Sequence, residues 1–182
     1  LRNDLAKVLA PLAATGDQTY TKKFRELVHF RADGDFSISR DYISYDTHGL
    51  NKPFKNRFIE AFGPRREKDD PITQRHCDLA FALQSTIEET ALHVVRALSK
   101  RHKSRNLCLT GGVALNCVSN ARVLRDTDYD SIWVPPCASD SGAPFVVVLL
   151  NGRPLTIGGW LESAPAVLEA WHPGLEGVHA IA

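Results

Sequence analysis

The sequence contains no methionine, so it offers neither an internal start residue nor the adaptable thioether surface of promiscuous binding proteins. It opens at Leu1 and closes at Ile181-Ala182 in a stretch that reads as helical, and these are the marks expected of a fragment. Its four cysteines, Cys77, Cys108, Cys117 and Cys137, form no CxxC pair, which excludes zinc-ribbon and thioredoxin-like motifs and leaves reduced thiols of a cytoplasmic protein as the simplest reading. Seven histidines include no pair at i,i+4, the spacing that sets two imidazoles on one helix face. Charge of one sign is also lacking: 22 basic against 21 acidic residues give a net charge of +1, with no electrostatic case for nucleic acid or an anionic membrane as partner. The longest apolar run, Phe145 to Leu150, falls far short of the roughly 20 residues that span a bilayer, and no signal peptide opens the chain. A hydrophobic share of 43% nevertheless suffices for a packed core in one large or two small domains.

The richest stretch is Asn106 to Pro144, NLCLTGGVALNCVSNARVLRDTDYDSIWVPPCASDSGAP, which reads as strand, glycine turn, helix, strand and acidic loop. Leu107, Cys108 and Leu109 make a short apolar strand, Gly111 and Gly112 follow, and Val113, Cys117, Ala121 and Leu124 recur at helical spacing as an apolar stripe. At a strand-to-helix handover, glycine lets the backbone approach a ligand, and the N–H groups of the first helical turn attract phosphate or ribose oxygens. Gly111, Gly112 and Asn116 are therefore candidate nucleotide-binding residues. The second strand, Ile132 to Val134, runs into PPCASDSG and places Asp140 in a glycine-bounded loop at the same sheet edge, where ligands of parallel sheets sit.

Upstream, Asp4 to Ala14 reads as a short helix. Lys22 to Phe30 is amphipathic and Phe36 to Tyr45 partly alternating, which together suggest a small α+β subdomain. A long helix is expected from Pro71 to about Lys100, with Asp70 as N-cap, Pro71 at the first helical position and Leu79, Leu83, Ile87, Ala91, Val94 and Leu98 as its apolar stripe. Gln84, Glu88 and Glu89 on that helix read as ordinary helix formers rather than catalytic groups. Cys137 has no histidine near it in sequence to act as a base.

TGGVALN at Thr110 to Asn116 and VPPCASDSGAP at Val134 to Pro144 closely resemble the O-carbamoyltransferase family of nodulation and antibiotic-tailoring enzymes, in its first, Kae1-like domain. The resemblance extends back through Pro71 to Leu98 and more loosely to Leu1, about four-fifths of the chain. It implies an α/β chain whose residues 1–143 are a Kae1-like domain of the actin and Hsp70 ATPase type, truncated at its N-terminus. It further implies transfer of a carbamoyl group from carbamoyl phosphate, with ATP and through a carbamoyl-adenylate, to a hydroxyl of a small-molecule acceptor. By resemblance Gly111, Gly112 and Asn116 hold the adenylate, and Asp140 is a ligand of the active-site metal, iron or another divalent ion. The family's paired histidine ligands and its second, YrdC-like domain have no counterpart in these residues, so the resemblance implies an incomplete metal site and a chain that does not complete the reaction alone.

Beyond that motif, family members continue into a small-residue helix, whereas Phe145 to Leu150 read as a buried strand followed by an Asn151-Gly152 turn. Residues 144–182, with VVVLLNGRPLTI, APAVLEAWHPG and EGVHAIA, resemble a strand-helix fragment of the C-terminal α/β sandwich of family 3 glycoside hydrolases. Glu162 and Glu176 read as solvated carboxylates, and no glycosidase site is assigned. The two resemblances meet near Ala143 to Phe145 without the polar or Gly/Pro-rich linker usual between domains. A composite chain is therefore expected. Two alternatives to a partial carbamoyltransferase follow, a β-glucosidase-like fragment and a composite with no activity of its own.

Overall fold

The computed structural model describes residues 9–44, 53–67, 69–135 and 138, together with the backbone of 148–150, 153–155 and 178–181. The chain divides into two compact units, Leu1–Val94 and Val95–Ala182.

In the first unit the described elements are helix α1 (9–13), helix α2 (Thr21–Arg25), strands β1 (Val28–Phe30) and β2 (Phe36–Ile38), helix α3 (Asn56–Phe62) and most of helix α4 (Gln74–Arg101). The mixed α+β subdomain expected here is what forms. Its amphipathic stretch is split, however. Helix α2 stops at Arg25, and Val28–Phe30 pair antiparallel with Phe36–Ile38 in the register Val28↔Ile38, His29↔Ser37, Phe30↔Phe36. Valine and aromatic residues fit that pleated surface better than a further helical turn.

The core of this unit is aromatic. Phe62, only 2% exposed, lies against Phe24 at 4.7 Å and Phe58 at 4.6 Å between ring centroids, with Tyr20 and Tyr42 just beyond 6 Å. All four contacts are tilted, the arrangement in which ring edges meet ring faces. Leu27 and Ala82 close the cluster. Gly16 brings the preceding loop onto α4 so closely that a Cβ there would stand 2.1 Å from the Cys77 carbonyl oxygen. Polar bonds fix that approach: the Asp17 N–H donates to Asp78 Oδ1 at 3.0 Å, and Gln74 Nε2 donates to the Thr15 carbonyl at 2.9 Å and to Asp78 at 2.8 Å.

Helix α4 begins at Gln74, not at Pro71. The Asp70 carboxylate accepts from the Glu67 N–H instead of capping a helix. The cap falls to Thr73, whose N–H donates to Nδ1 of His76 at 3.0 Å. This is one half of a capping box, in which an imidazole at the third helical position accepts as glutamate usually does, while the His76 N–H donates to the Thr73 carbonyl. The expected apolar stripe is only half-buried, with Leu83 38% exposed, while Ala82, Gln84 and Thr86 are buried beside it. Thr86 Oγ1 donates to the Ala82 carbonyl at 2.8 Å and Gln84 Nε2 to Glu88 at 2.8 Å, so burial of this polar face is offset by bonds along the helix. Glu89 pairs with Arg25.

The second unit holds the end of α4 and strands β3 (Asn106–Leu109), β4 (Ser131–Trp133), β5 (Val148–Leu150), β6 (Arg153–Leu155) and β7 (Val178–Ile181), with helix α5 (Cys117–Asp126) between β3 and β4. One sheet has the order β4-β3-β7, with both pairings parallel. β5 and β6 form a separate antiparallel pair in the register Val148↔Leu155, Leu149↔Pro154, Leu150↔Arg153. Strand character at Val148–Leu150 agrees with the sequence reading. The end of the chain differs: Val178–Ile181 lie as a strand along β3, because a parallel edge was available to pair with them, and not as a helix.

Candidate functional site

Strand β3 sits centrally in its sheet, with Leu107 fully buried and Cys108 5% exposed. Burial pushes the Cys108 thiol up to about 12, as expected of a structural cysteine held neutral in an apolar layer. Two polar contacts lock β3 to β4 at its start. Ser131 Oγ donates to Asn106 Oδ1 at 2.7 Å, and the Arg105 guanidinium grips both oxygens of Asp130. The hydrogen bonds from Arg105 hold the Asp130 carboxyl below the ordinary carboxylate value, and the charge attraction adds to them. The register Asn106↔Ser131, Leu107↔Ile132, Cys108↔Trp133 follows.

At the carboxyl end of β3 the chain passes through Thr110 into the glycine turn. Gly111 takes φ +87° and ψ 171°, a conformation open to glycine almost alone. Among the described residues nothing lies within 4 Å of where a Cβ would stand on it. Gly112–Leu115 form a 3-10 turn closed by the Ala114 N–H to the Gly111 carbonyl at 3.1 Å and the Asn116 N–H to the Val113 carbonyl at 2.9 Å. The N–H groups of Gly112 and Val113 precede the first of these bonds, as the first donors of any helix do. Only Gly111 needs glycine for its torsion angles; Gly112 opens the 3-10 turn with no such demand.

Asn116, 9% exposed, is the N-cap of α5, its side-chain oxygen accepting from the Ser119 N–H at 3.1 Å. Asn120, one turn on, donates from Nδ2 back to the Ala114 carbonyl at 2.8 Å. The turn thus brings Gly111, Gly112 and Asn116 together as the sequence anticipates. It also enlists Asn120, which the sequence reading passed over. The signal was there as a pair of asparagines at i,i+4 across a helix start, a spacing that puts both on one face.

That face is the buried one. Ser119 is 2% and Val123 1% exposed, whereas the apolar stripe read from the sequence points outward, with Val113 64% and Leu124 42% exposed and Cys117 and Ala121 beside them. Hydrophobic periodicity located the helix and assigned its covered face to the wrong side, because the capping and back-bonding asparagines turn the polar side inward. Cys117 is therefore an exposed thiol, not part of an apolar packing stripe. Asp140 and Cys137 lie outside the described residues. Among the described residues no three His, Cys, Asp or Glu side chains gather in a way that could hold a metal ion, and no described helix is long and apolar enough to cross a membrane.

A parallel strand, a glycine turn, a capped helix and a second parallel strand define an α/β unit of the kind whose ligands lie at the carboxyl ends of its strands. The chain belongs to the carbamoyltransferase N-terminus family, whose model matches residues 3–145. It is 39% identical over 136 residues to the uncharacterized protein sll1178 of Synechocystis sp., covering 74% of this chain and 22% of that one. Nodulation protein NolO of Bradyrhizobium diazoefficiens is 36% identical over 165 residues, 90% of this chain and 28% of that one. A shorter match, 50% identical over 42 residues and 23% of this chain, covers 6% of the periplasmic beta-glucosidase of Salmonella typhimurium. The chain thus spans about a quarter of the length of these first two curated relatives.

Proposed function

We propose that this chain supplies the nucleotide-holding turn of a cytoplasmic, ATP-dependent carbamoyltransferase with a partial Kae1-like, actin/Hsp70-type fold. The observation that carries the reading is the coincidence of the family match over 3–145 with a positive-φ glycine turn at the end of a parallel strand. In the proposed reaction carbamoyl phosphate is hydrolysed to carbamate and inorganic phosphate, a carbamate oxygen attacks the α-phosphorus of ATP and expels pyrophosphate, and a hydroxyl oxygen of a small-molecule acceptor then attacks the carbamoyl carbon of the adenylate as AMP leaves and the hydroxyl proton passes to solvent. Gly111, with its positive φ, turns the backbone toward the adenylate, and Gly112 with the residue after it presents backbone N–H groups to it. Asn116 holds the helix start in place through its bond to the Ser119 N–H, so that helix α5 aims its N-terminal end at the phosphate side of the ligand.

For a metal, Asp140 is the residue the reading assigns, and the described residues supply no set of partners for it, so no step is drawn through an ion. On its own the chain is expected to bind nucleotide without turning over carbamoyl phosphate.

Titration of the chain with ATP by calorimetry, beside Gly112→Arg, tests the reading. Saturable binding that the arginine side chain abolishes supports the turn as the cradle. A parent chain that takes up no heat at millimolar ATP overturns it. The short match to a beta-glucosidase favours a second reading, a glycosidase-like tail. It requires release of nitrophenol from an aryl β-glucoside, and the expected result is none, since no carboxylate pair has been assigned in the chain.

A further inference from the structure

We infer that Asn120 is a positioning residue for the glycine turn: from the second turn of α5 it holds the Gly112–Leu115 segment in the shape that presents the Gly112 and Val113 N–H groups. The inference rests on the reading of that turn as a nucleotide cradle and adds a residue to it. Three bonds carry it. Asn120 Nδ2 donates to the Ala114 carbonyl at 2.8 Å, the Asn120 N–H donates to the Asn116 carbonyl at 3.0 Å, and Asn116 Oδ1 accepts from the Ser119 N–H at 3.1 Å. Asn116 thereby fixes where the helix starts, and Asn120 fixes how the turn before it is folded back onto that start.

Ala114, 6% exposed, is the one buried residue of the 3-10 turn, flanked by Val113 at 64% and Leu115 at 45%. A turn with exposed side chains on both sides has little packing to define it, so the Asn120 bond to the Ala114 carbonyl adds a side-chain constraint to the two backbone bonds that close it. Without the Asn120 donor that carbonyl loses its side-chain partner, and a short 3-10 segment readily exchanges for other turn geometries.

The test uses Asn120→Asp, which keeps the shape and removes the donor, with Asn120→Ala as a second variant should the carboxylate disturb folding. Two readouts are taken on the parent chain and both variants: amide hydrogen exchange at residues 111–116, and the dissociation constant for ATP. Loss of one hydrogen bond at this point predicts about tenfold faster exchange at Ala114 and Asn116, whose N–H groups close the turn, and about tenfold weaker ATP binding. The melting temperature should fall by only a few degrees, as the loss of a single hydrogen bond implies. Unchanged exchange at 111–116 in both variants overturns the inference. Faster exchange with unaltered ATP affinity overturns the functional half, leaving a bond that merely stabilises. If the parent binds no ATP, the cradle reading fails by itself, and the exchange measurement still decides whether Asn120 shapes the turn.

Discussion

The Phe62 cluster in the first unit and the glycine turn in the second are held by different forces. Around Phe62, burial follows apolar packing: five aromatic rings meet at tilted angles, and the central Phe62 is only 2% exposed. Around the turn, burial follows hydrogen bonding. Asn116, Ser119 and Ala114 are covered while Val113, Leu115, Val118 and Leu124 stand in the open. The difference teaches that the first region stores stability and the second stores shape. Substitutions in one should register as unfolding, and in the other as altered geometry at nearly constant stability.

The sharpest way to break this comparison is Phe62→Ala. Removing a buried ring with four aromatic neighbours should lower stability by about 3–5 kcal/mol in urea unfolding followed by circular dichroism. A loss below about 1 kcal/mol would mean the cluster collapses onto the gap and is not the anchor of its unit.

Next in expected size is an alkaline weakness confined to the second unit. Native Cys108 keeps its proton up to about 12, whereas the unfolded chain releases it near the ordinary value of 9.0. Its contribution is therefore complete below pH 9 and is lost as pH rises from there toward 12. Burial raises the Tyr129 phenol in the same direction, and its hydroxyl finds no hydrogen-bond partner among the described residues. Cys108→Ala should flatten the alkaline limb of a stability-against-pH curve. An unchanged limb would remove the thiol from the account.

Smaller again is Asn116→Ala, which deletes the cap of α5 and should lower stability by about 1 kcal/mol. The smallest effect is expected from Leu124→Lys. Although the sequence pattern puts Leu124 on the apolar stripe, it is 42% exposed, and the substitution should move stability by no more than about 0.5 kcal/mol. A drop several times larger would restore the stripe as the covered face and reverse the comparison between the two regions.

What could be read from the sequence follows the same division. The strand, glycine turn, helix and second strand at 106–133 were legible because glycine, a short apolar run and helical spacing are local signals. The covered face of α5 was not. Period fixes an amphipathic helix, but which side is packed depends on long-range partners and here on two asparagines that turn polar groups inward. The start of α4 was misplaced by three residues because Asp70-Pro71 is a strong local signal, while the cap that formed pairs Thr73 with a histidine rather than with the glutamate of the usual box. The closing strand at Val178–Ile181 was unreadable locally, since its partner β3 lies some seventy residues away. Asp140, the metal ligand implied by family resemblance, falls outside the described residues, and its role stays with the proposal.

The most direct test of the central claim is a nitrogen-15 amide correlation spectrum of the chain recorded across an ATP titration. The account predicts saturable shifts concentrated at Gly111, Gly112, Val113 and Asn116, with the amides around Phe62 unmoved. Shifts centred anywhere in residues 9–44, or no saturable shifts at the turn, would contradict it.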